Sequence, residues 1–161
     1  MSIIIRAAAA ADQRTITSLV RGAGLNPMRL AWPNFLVAER VWMDGSQLVA
    51  VGQLRPHKDG TVELASLVVI PEEQGRGIGG LLVETLIRKA NGKLYLMCNA
   101  PKVPFYQQFG FYELLTRAEM PRSLRRMHRM IRPVEGLLAF WAKEPLHVAI
   151  MAHSGVNSLK Q

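Results

Sequence analysis

Cysteine is nearly absent: Cys98 is the only one in 161 residues. An internal disulfide is therefore excluded, and a reducing compartment, the cytoplasm, is expected. No apolar run approaches the ~20 residues a membrane helix needs. The apolar opening, residues 1–12, has no basic leading segment and is cut by Arg6, so a secretory signal is not expected. His57, His128, His147 and His153 show no metal-ligand spacing, so no metal is expected. Aromatics make up 7% of the chain, and none falls between Tyr112 and Phe140, which removes a base-stacking surface from the most basic stretch. Repeats, linkers and low-complexity segments are lacking, and nothing marks a second domain. The content is that of one globular domain, with 49% hydrophobic and 20% charged residues. A formal net charge of +8 calls for an anionic partner: nucleic acid, a membrane surface or an acidic ligand.

The most informative stretch is residues 61–92. Residues 62–70 are β-branched and apolar, closed by Pro71, and predict a strand. A helix is expected from about Gly77, with Ile78, Leu81, Leu82, Thr85 and Leu86 on one face and Asn91-Gly92 as its stop. Between them lie Gln74-Gly75-Arg76-Gly77-Ile78-Gly79-Gly80. Four glycines in six residues leave backbone amides uncovered at the positive end of a helix dipole, and Arg76 adds a full charge. That pattern predicts a phosphate or pyrophosphate site.

The ligand can be narrowed. Gly75, Gly77 and Gly80 formally fit the dinucleotide fingerprint, but that fold needs an acidic residue about 20 positions on. No Asp or Glu occurs between Glu84 and Glu113. A phosphate loop of the nucleotide-hydrolase type needs Gly-Lys-Ser/Thr, whereas Leu81 follows Gly80.

The run from Gln74 to Gly79 resembles the Gln/Arg-x-x-Gly-x-Gly/Ala pyrophosphate loop of the GNAT family of N-acetyltransferases. Downstream, Asn99 and the run Val103-Pro-Phe-Tyr106-Gln-Gln-Phe109-Gly110-Phe111 resemble that family's second signature. The two motifs occupy residues 61–113, about a third of the chain. The resemblance implies a single-domain α/β (α+β) fold with a mixed, mostly antiparallel sheet and helices on both faces. It implies acetyl-CoA as co-substrate and direct transfer of acetyl to a primary amine, of a small molecule or of a peptide or protein. It also implies site residues. Glu63 matches the position of a catalytic glutamate and is the candidate base. Tyr106 matches a catalytic tyrosine and is the candidate acid. Backbone groups of Leu67, Val68 and Val69 would pair with the pantetheine arm, where the central strand splays from the strand at residues 94–98. Gln74, Gly75, Arg76, Gly77, Ile78, Gly79 and Gly80 would hold the pyrophosphate, and Asn99 would contact the coenzyme. Coenzyme A accounts for some of the positive charge, so neither nucleic acid nor a membrane is the expected partner. A monomer or homodimer is expected. Two alternatives remain open: a non-catalytic coenzyme-A-binding module, and a basic RNA-associated protein.

Around this core the pattern predicts a strand at residues 2–6, a helix at 10–21, and an irregular segment at 25–33 carrying Met28, Leu30 and Trp32. That segment either packs on the core or lines an acceptor pocket. Strands at 35–43 and 47–55 flank a hairpin signal at Asp44-Gly45. A strand at 94–98, a helix at 102–109 and a strand at 111–115 follow. In the basic segment, residues 116–142, Pro121 opens a helix with Leu124, Met127, Met130 and Ile131 inward. Arg122, Arg125, Arg126, Arg129 and Arg132 occupy the rest, and Pro133 stops it. A short helix at 134–141 and a last strand at 146–151 complete the expected order.

Overall fold

The computed structural model describes residues 2–139 and 147–155. The chain falls into two compact units, one of residues up to Arg55 with Leu64–Ala90, the other of Pro56–Glu63 with the described residues from Asn91 on.

In the first unit the strand order is β1 (Ser2–Ala7), β2 (Phe35–Trp42), β3 (Gly45–Pro56) and β4 (Val62–Val69). β1 and β2 run antiparallel from Ser2 opposite Val41 to Ala7 opposite Leu36. β2 and β3 form a hairpin with a bulge at Ala38/Glu39 and Trp42 opposite Gly45. The turn is therefore Met43-Asp44, one residue earlier than the Asp44-Gly45 signal, because Gly45 already pairs in the ladder. Helix α1 (Gln13–Gly22) buries Ile16 and Val20 against Phe35, Val37, Val51 and Val68. Helix α2 (Ile78–Lys89) buries Ile78, Leu82, Val83, Leu86 and Ile87. Leu81, expected inward, is 48% exposed. The buried stripe lies one position further round, through Val83 and Ile87, and leaves Leu81 at its edge.

In the second unit β4 begins beside β5 (Leu94–Asn99), in parallel, with Glu63 opposite Tyr95. β7 (Val148–His153) pairs antiparallel with β5, and β6 (Tyr112–Glu113) with β7. The whole sheet is thus mixed and mostly antiparallel, in the order β1-β2-β3-β4-β5-β7-β6. The last strand starts at Val148, later than expected, and Leu146 lies outside the described residues. Helix α3 (Val103–Gln107) carries Tyr106, and Leu124 and Met127 of α4 (Arg122–Ala139) pack on Ile150 and Ala152. Two expectations for α4 fail. Met130 is 68% exposed, since position 130 lies off the stripe through Leu124 and Met127. Pro133 does not stop the helix, which runs on to Ala139 as one element. A proline removes a single helix hydrogen bond, and the Met, Leu, Glu and Ala around it are good helix formers. Trp141, the far end of the expected second helix, lies outside the described residues.

Candidate functional site

The glycine turn leaves open space in front of the start of α2. Gly75 and Gly77 hold φ of 73° and 80°, the left-handed region that a side chain resists, and a Cβ at either would meet nothing within 4 Å. Gly77 caps α2, whose first intrahelical bond runs from the Leu81 amide to the Gly77 carbonyl at 3.0 Å. The amides of Ile78, Gly79 and Gly80 precede that bond and have no carbonyl four residues back within the helix. The Gln74 side-chain amide donates to the Val69 carbonyl at 2.9 Å and ties the turn to the end of β4. Beneath lies Glu73, buried and gripped by both nitrogens of the Arg40 fork, which holds its carboxyl below the usual range. Arg76 is exposed, its Nε 3.7 Å from the same carboxylate. Two arginines thus face Glu73, and the exposed Glu72 beside it adds a second carboxylate to the turn.

Strand β4 is irregular at its middle. Ser66 has φ 53°, a conformation that costs a non-glycine residue on the order of 1–3 kcal/mol. Its hydroxyl donates to the Gln53 side-chain oxygen at 3.0 Å and lies 3.3 Å from Arg55. The alternation that would place Glu63 on one face with Ala65, Leu67 and Val69 is broken there. The buried positions are Glu63, Leu64 and Val68, while Leu67 and Val69 are half-buried.

Glu63 is not surrounded by apolar neighbours alone. Its Oε2 lies 2.8 Å from Nε2 of His57, and the two side chains are 4% and 6% exposed. An ionised carboxylate only accepts, so in that form Nε2 carries the proton and donates. Metal-ligand spacing gives no reason to single out His57. The signal that finds it is the turn: the His57 amide donates to the Thr61 carbonyl at 2.8 Å, so residues 57 and 63 are diagonal neighbours across a hairpin. Among the described residues no cluster of His, Cys, Asp and Glu is suited to a metal.

Tyr106 is buried on α3, its ring edge-on to Phe105 at 5.0 Å and to Phe111 at 6.0 Å. Burial pushes its phenol above the ordinary value, with Cys98 adding to the effect. The phenol therefore holds its proton more tightly than an ordinary tyrosine and is a weaker donor in this resting environment. Burial likewise pushes the Cys98 thiol up to about 11, with help from Glu113. Asn99 ends β5, exposed, opposite Val148. Glu63, His57, Tyr106 and Asn99 belong to the second unit; Leu67, Val68, Val69 and the turn from Gln74 to Gly80 belong to the first.

Part of the segment at residues 25–33 packs on the core, the first of its two expected roles. Leu30 and Trp32 pack with the core of the first unit, and Gln13 of α1 clamps them by accepting from the Trp32 amide at 3.0 Å and donating to the Leu30 carbonyl at 2.6 Å. Met28 is exposed and Arg29 takes φ 59°. On α4, Arg122, Arg126 and Arg129 are exposed, whereas Arg125 is half-buried and donates to the Met120 carbonyl at 2.9 Å. No helix among the described residues is long and apolar enough to cross a membrane.

A model of the Acetyltransferase (GNAT) family matches residues 13–111. Among solved structures the chain is similar to N-acetylglutamate synthase from Neisseria gonorrhoeae complexed with coenzyme A and N-acetyl-glutamate, at 21% identity and a TM-score of 0.72, over 96% of this chain and 35% of that one. The chain thus spans about a third of that enzyme's length. It is similar to a Mycobacterium tuberculosis protein in complex with CoA, at 20% identity and a TM-score of 0.71, over 94% of this chain and 98% of that one. It is similar also to the ribosomal-protein-S18-alanine N-acetyltransferase from Escherichia coli, at 18% identity and a TM-score of 0.62, over 97% and 98% of the two chains. At such identities the likeness is one of fold. A sequence comparison with curated proteins found no match.

Proposed function

Because the chain belongs to the GNAT family of acetyltransferases, we propose that it moves an acetyl group from acetyl-CoA directly to a primary amine, without a covalent enzyme intermediate. The observation that carries this reading is the turn before α2. Left-handed Gly75 and Gly77 open the surface above it, and three helix-terminal amides and Arg76 supply positive charge for a pyrophosphate.

The chemistry asks for three things. A lysine-like amine with pKa near 10.4 is neutral in only about one molecule in 2,500 at pH 7, so a base is needed. Glu63 is that base, directly or through a water. The amine nitrogen attacks the thioester carbonyl, the C–N bond forms, and the carbonyl oxygen takes up negative charge. A backbone N–H near Val68 stabilises that charge. As the C–S bond breaks, Tyr106 gives its proton to the departing thiolate. Leu67 and Val69 pair with the pantetheine amides, Gln74 to Gly80 seat the pyrophosphate, and Asn99 touches the coenzyme. The acceptor is a small-molecule amine or a peptide or protein amine, and the enzyme works in the cytoplasm as a monomer or homodimer within a single domain.

The test begins with thermal unfolding in acetyl-CoA, NADH and ATP. Ligand at 100 times its dissociation constant adds about 2.7 kcal/mol, a shift of several degrees. A shift with acetyl-CoA alone is expected. No shift at millimolar acetyl-CoA would remove the donor site. Glu63→Gln and Tyr106→Phe are each expected to lower kcat about 10²-fold or more while leaving acetyl-CoA binding intact. If both retain full rate, the base and acid lie elsewhere.

A further inference from the structure

We propose that His57 is a positioning residue for Glu63, holding the carboxylate in the rotamer from which it takes the acceptor's proton. This rests on Glu63 being the base. The geometry is local and closed. The two side chains meet at 2.8 Å with 6% and 4% exposure, so water does not compete freely for either. Their separation is set by a rigid turn. The His57 amide donates to the Thr61 carbonyl at 2.8 Å, and the Gly60 amide to the His57 carbonyl at 3.1 Å. Gly60 takes φ 82°, which a side chain would resist. Asp59 locks the turn twice: one carboxylate oxygen accepts from the Thr61 amide at 3.1 Å, the other from the Ser123 amide at the start of α4 at 2.9 Å. The backbone that carries the imidazole is thus fixed by its own turn and by the start of α4, and Nε2 meets Oε2 of Glu63.

Burying a histidine against a glutamate is a costly way to fill space. Two apolar side chains of similar volume generally serve stability as well or better. What the pair supplies is direction: a glutamate has three rotatable side-chain bonds, and a base must sit within about 3 Å of the proton it removes or of the water that relays it. A donor on Oε2 fixes which way the other oxygen faces.

The test compares His57→Phe, which keeps a ring and removes the donor, with His57→Gln, which restores an N–H at similar reach. Thiol release from acetyl-CoA is followed, to the fastest amine in a panel of L-amino acids, polyamines and peptide N-termini, or to water where no amine is used. Thermal unfolding of each variant is measured alongside, and rates are taken well below the lowest melting temperature. The expected result is a kcat lowered about 10- to 100-fold in His57→Phe, with KM for acetyl-CoA within about twofold of the parent. His57→Gln recovers most of the rate. Glu63→Gln combined with His57→Phe is no slower than Glu63→Gln alone, because the two residues act as one unit. A His57→Phe variant that melts earlier but keeps kcat would make the pair structural and overturn the proposal, as would a His57→Gln no faster than His57→Phe. Full rate in Glu63→Gln would overturn the base assignment and this proposal together. A slow Glu63→Gln beside a full-rate His57→Phe overturns this proposal only.

Discussion

Residue by residue, the polar groups that look alike in sequence separate by environment. Cys98 sits at the end of β5 beside Met151, and burial raises its thiol from 9.0 to about 11. Two outcomes follow from one cause. Below pH 9 the thiolate is about 10²-fold scarcer than in an unshifted thiol, so alkylation by iodoacetamide at pH 8 is expected to be slower by about that factor. Folding stability is expected to fall as pH rises from 9 to about 11. In that window the unfolded chain has released the thiol proton and the folded chain still binds it, and the state binding more protons loses ground as pH rises. Denaturant titrations at pH 8 and pH 11 check this, with Cys98→Ala flattening the loss. Brisk alkylation at pH 8 would show the thiol to be neither desolvated nor shifted. The Glu63 environment shows what single residues conceal. That Glu63 stands on the central strand followed from the β-branched, apolar run of residues 62–70 closed by Pro71. That His57 faces it did not, since a side chain six positions earlier becomes a neighbour only once the turn at Lys58-Asp59-Gly60 is registered to one residue.

At the scale of elements, the turn into α2 offers the sharpest change. Gly77→Ala introduces no clash, since its Cβ would meet nothing within 4 Å, but it forces alanine to φ 80° at the helix cap. The left-handed cost is about 1–2 kcal/mol, worth a few degrees of melting temperature in a domain of this size. The same methyl fills open space at the mouth of the turn, where the proposed pyrophosphate would approach, so acetyl-CoA affinity is expected to fall by at least tenfold. Calorimetric melting and a coenzyme titration measure the two effects separately. Unchanged affinity would free the turn from its proposed ligand. The boundaries of this element were legible because glycine and proline punctuate them, and a helix cap uses those residues for physical reasons. Its buried stripe was less so. Thr85 and Leu81 fit the helical period as well as Val83 and Ile87 do, and only the packing partner decides which side turns inward. Pro133 misled for a related reason: a proline's local cost is fixed, but whether a helix continues depends on what the flanking turns gain. The left-handed Ser66 had no sequence signal, because serine carries no preference that would mark it.

For the molecule as a whole, the relevant quantity is a net charge of +8 in a chain whose proposed donor is a polyanion. Charge of this kind acts first on encounter. Between about 0.01 M and 0.15 M ionic strength the screening length shrinks from about 30 to 8 Å, so distant arginines stop contributing while contact pairs persist. The expected outcome is that kcat/KM for acetyl-CoA falls several-fold across that range while kcat holds, since steering raises association without touching the chemical step. Arg76 and the exposed arginines of α4, Arg122, Arg126 and Arg129, then separate by kind. Arg76→Ala removes a charge beside the glycine turn and is expected to weaken acetyl-CoA binding even at the higher salt. Replacing the three α4 arginines with glutamine is expected to lower kcat/KM at low salt and to leave it unchanged at high salt. A salt-independent kcat/KM in the parent would mean that the positive charge serves something other than the donor. The arginine face of α4 would then be the first place to look for it.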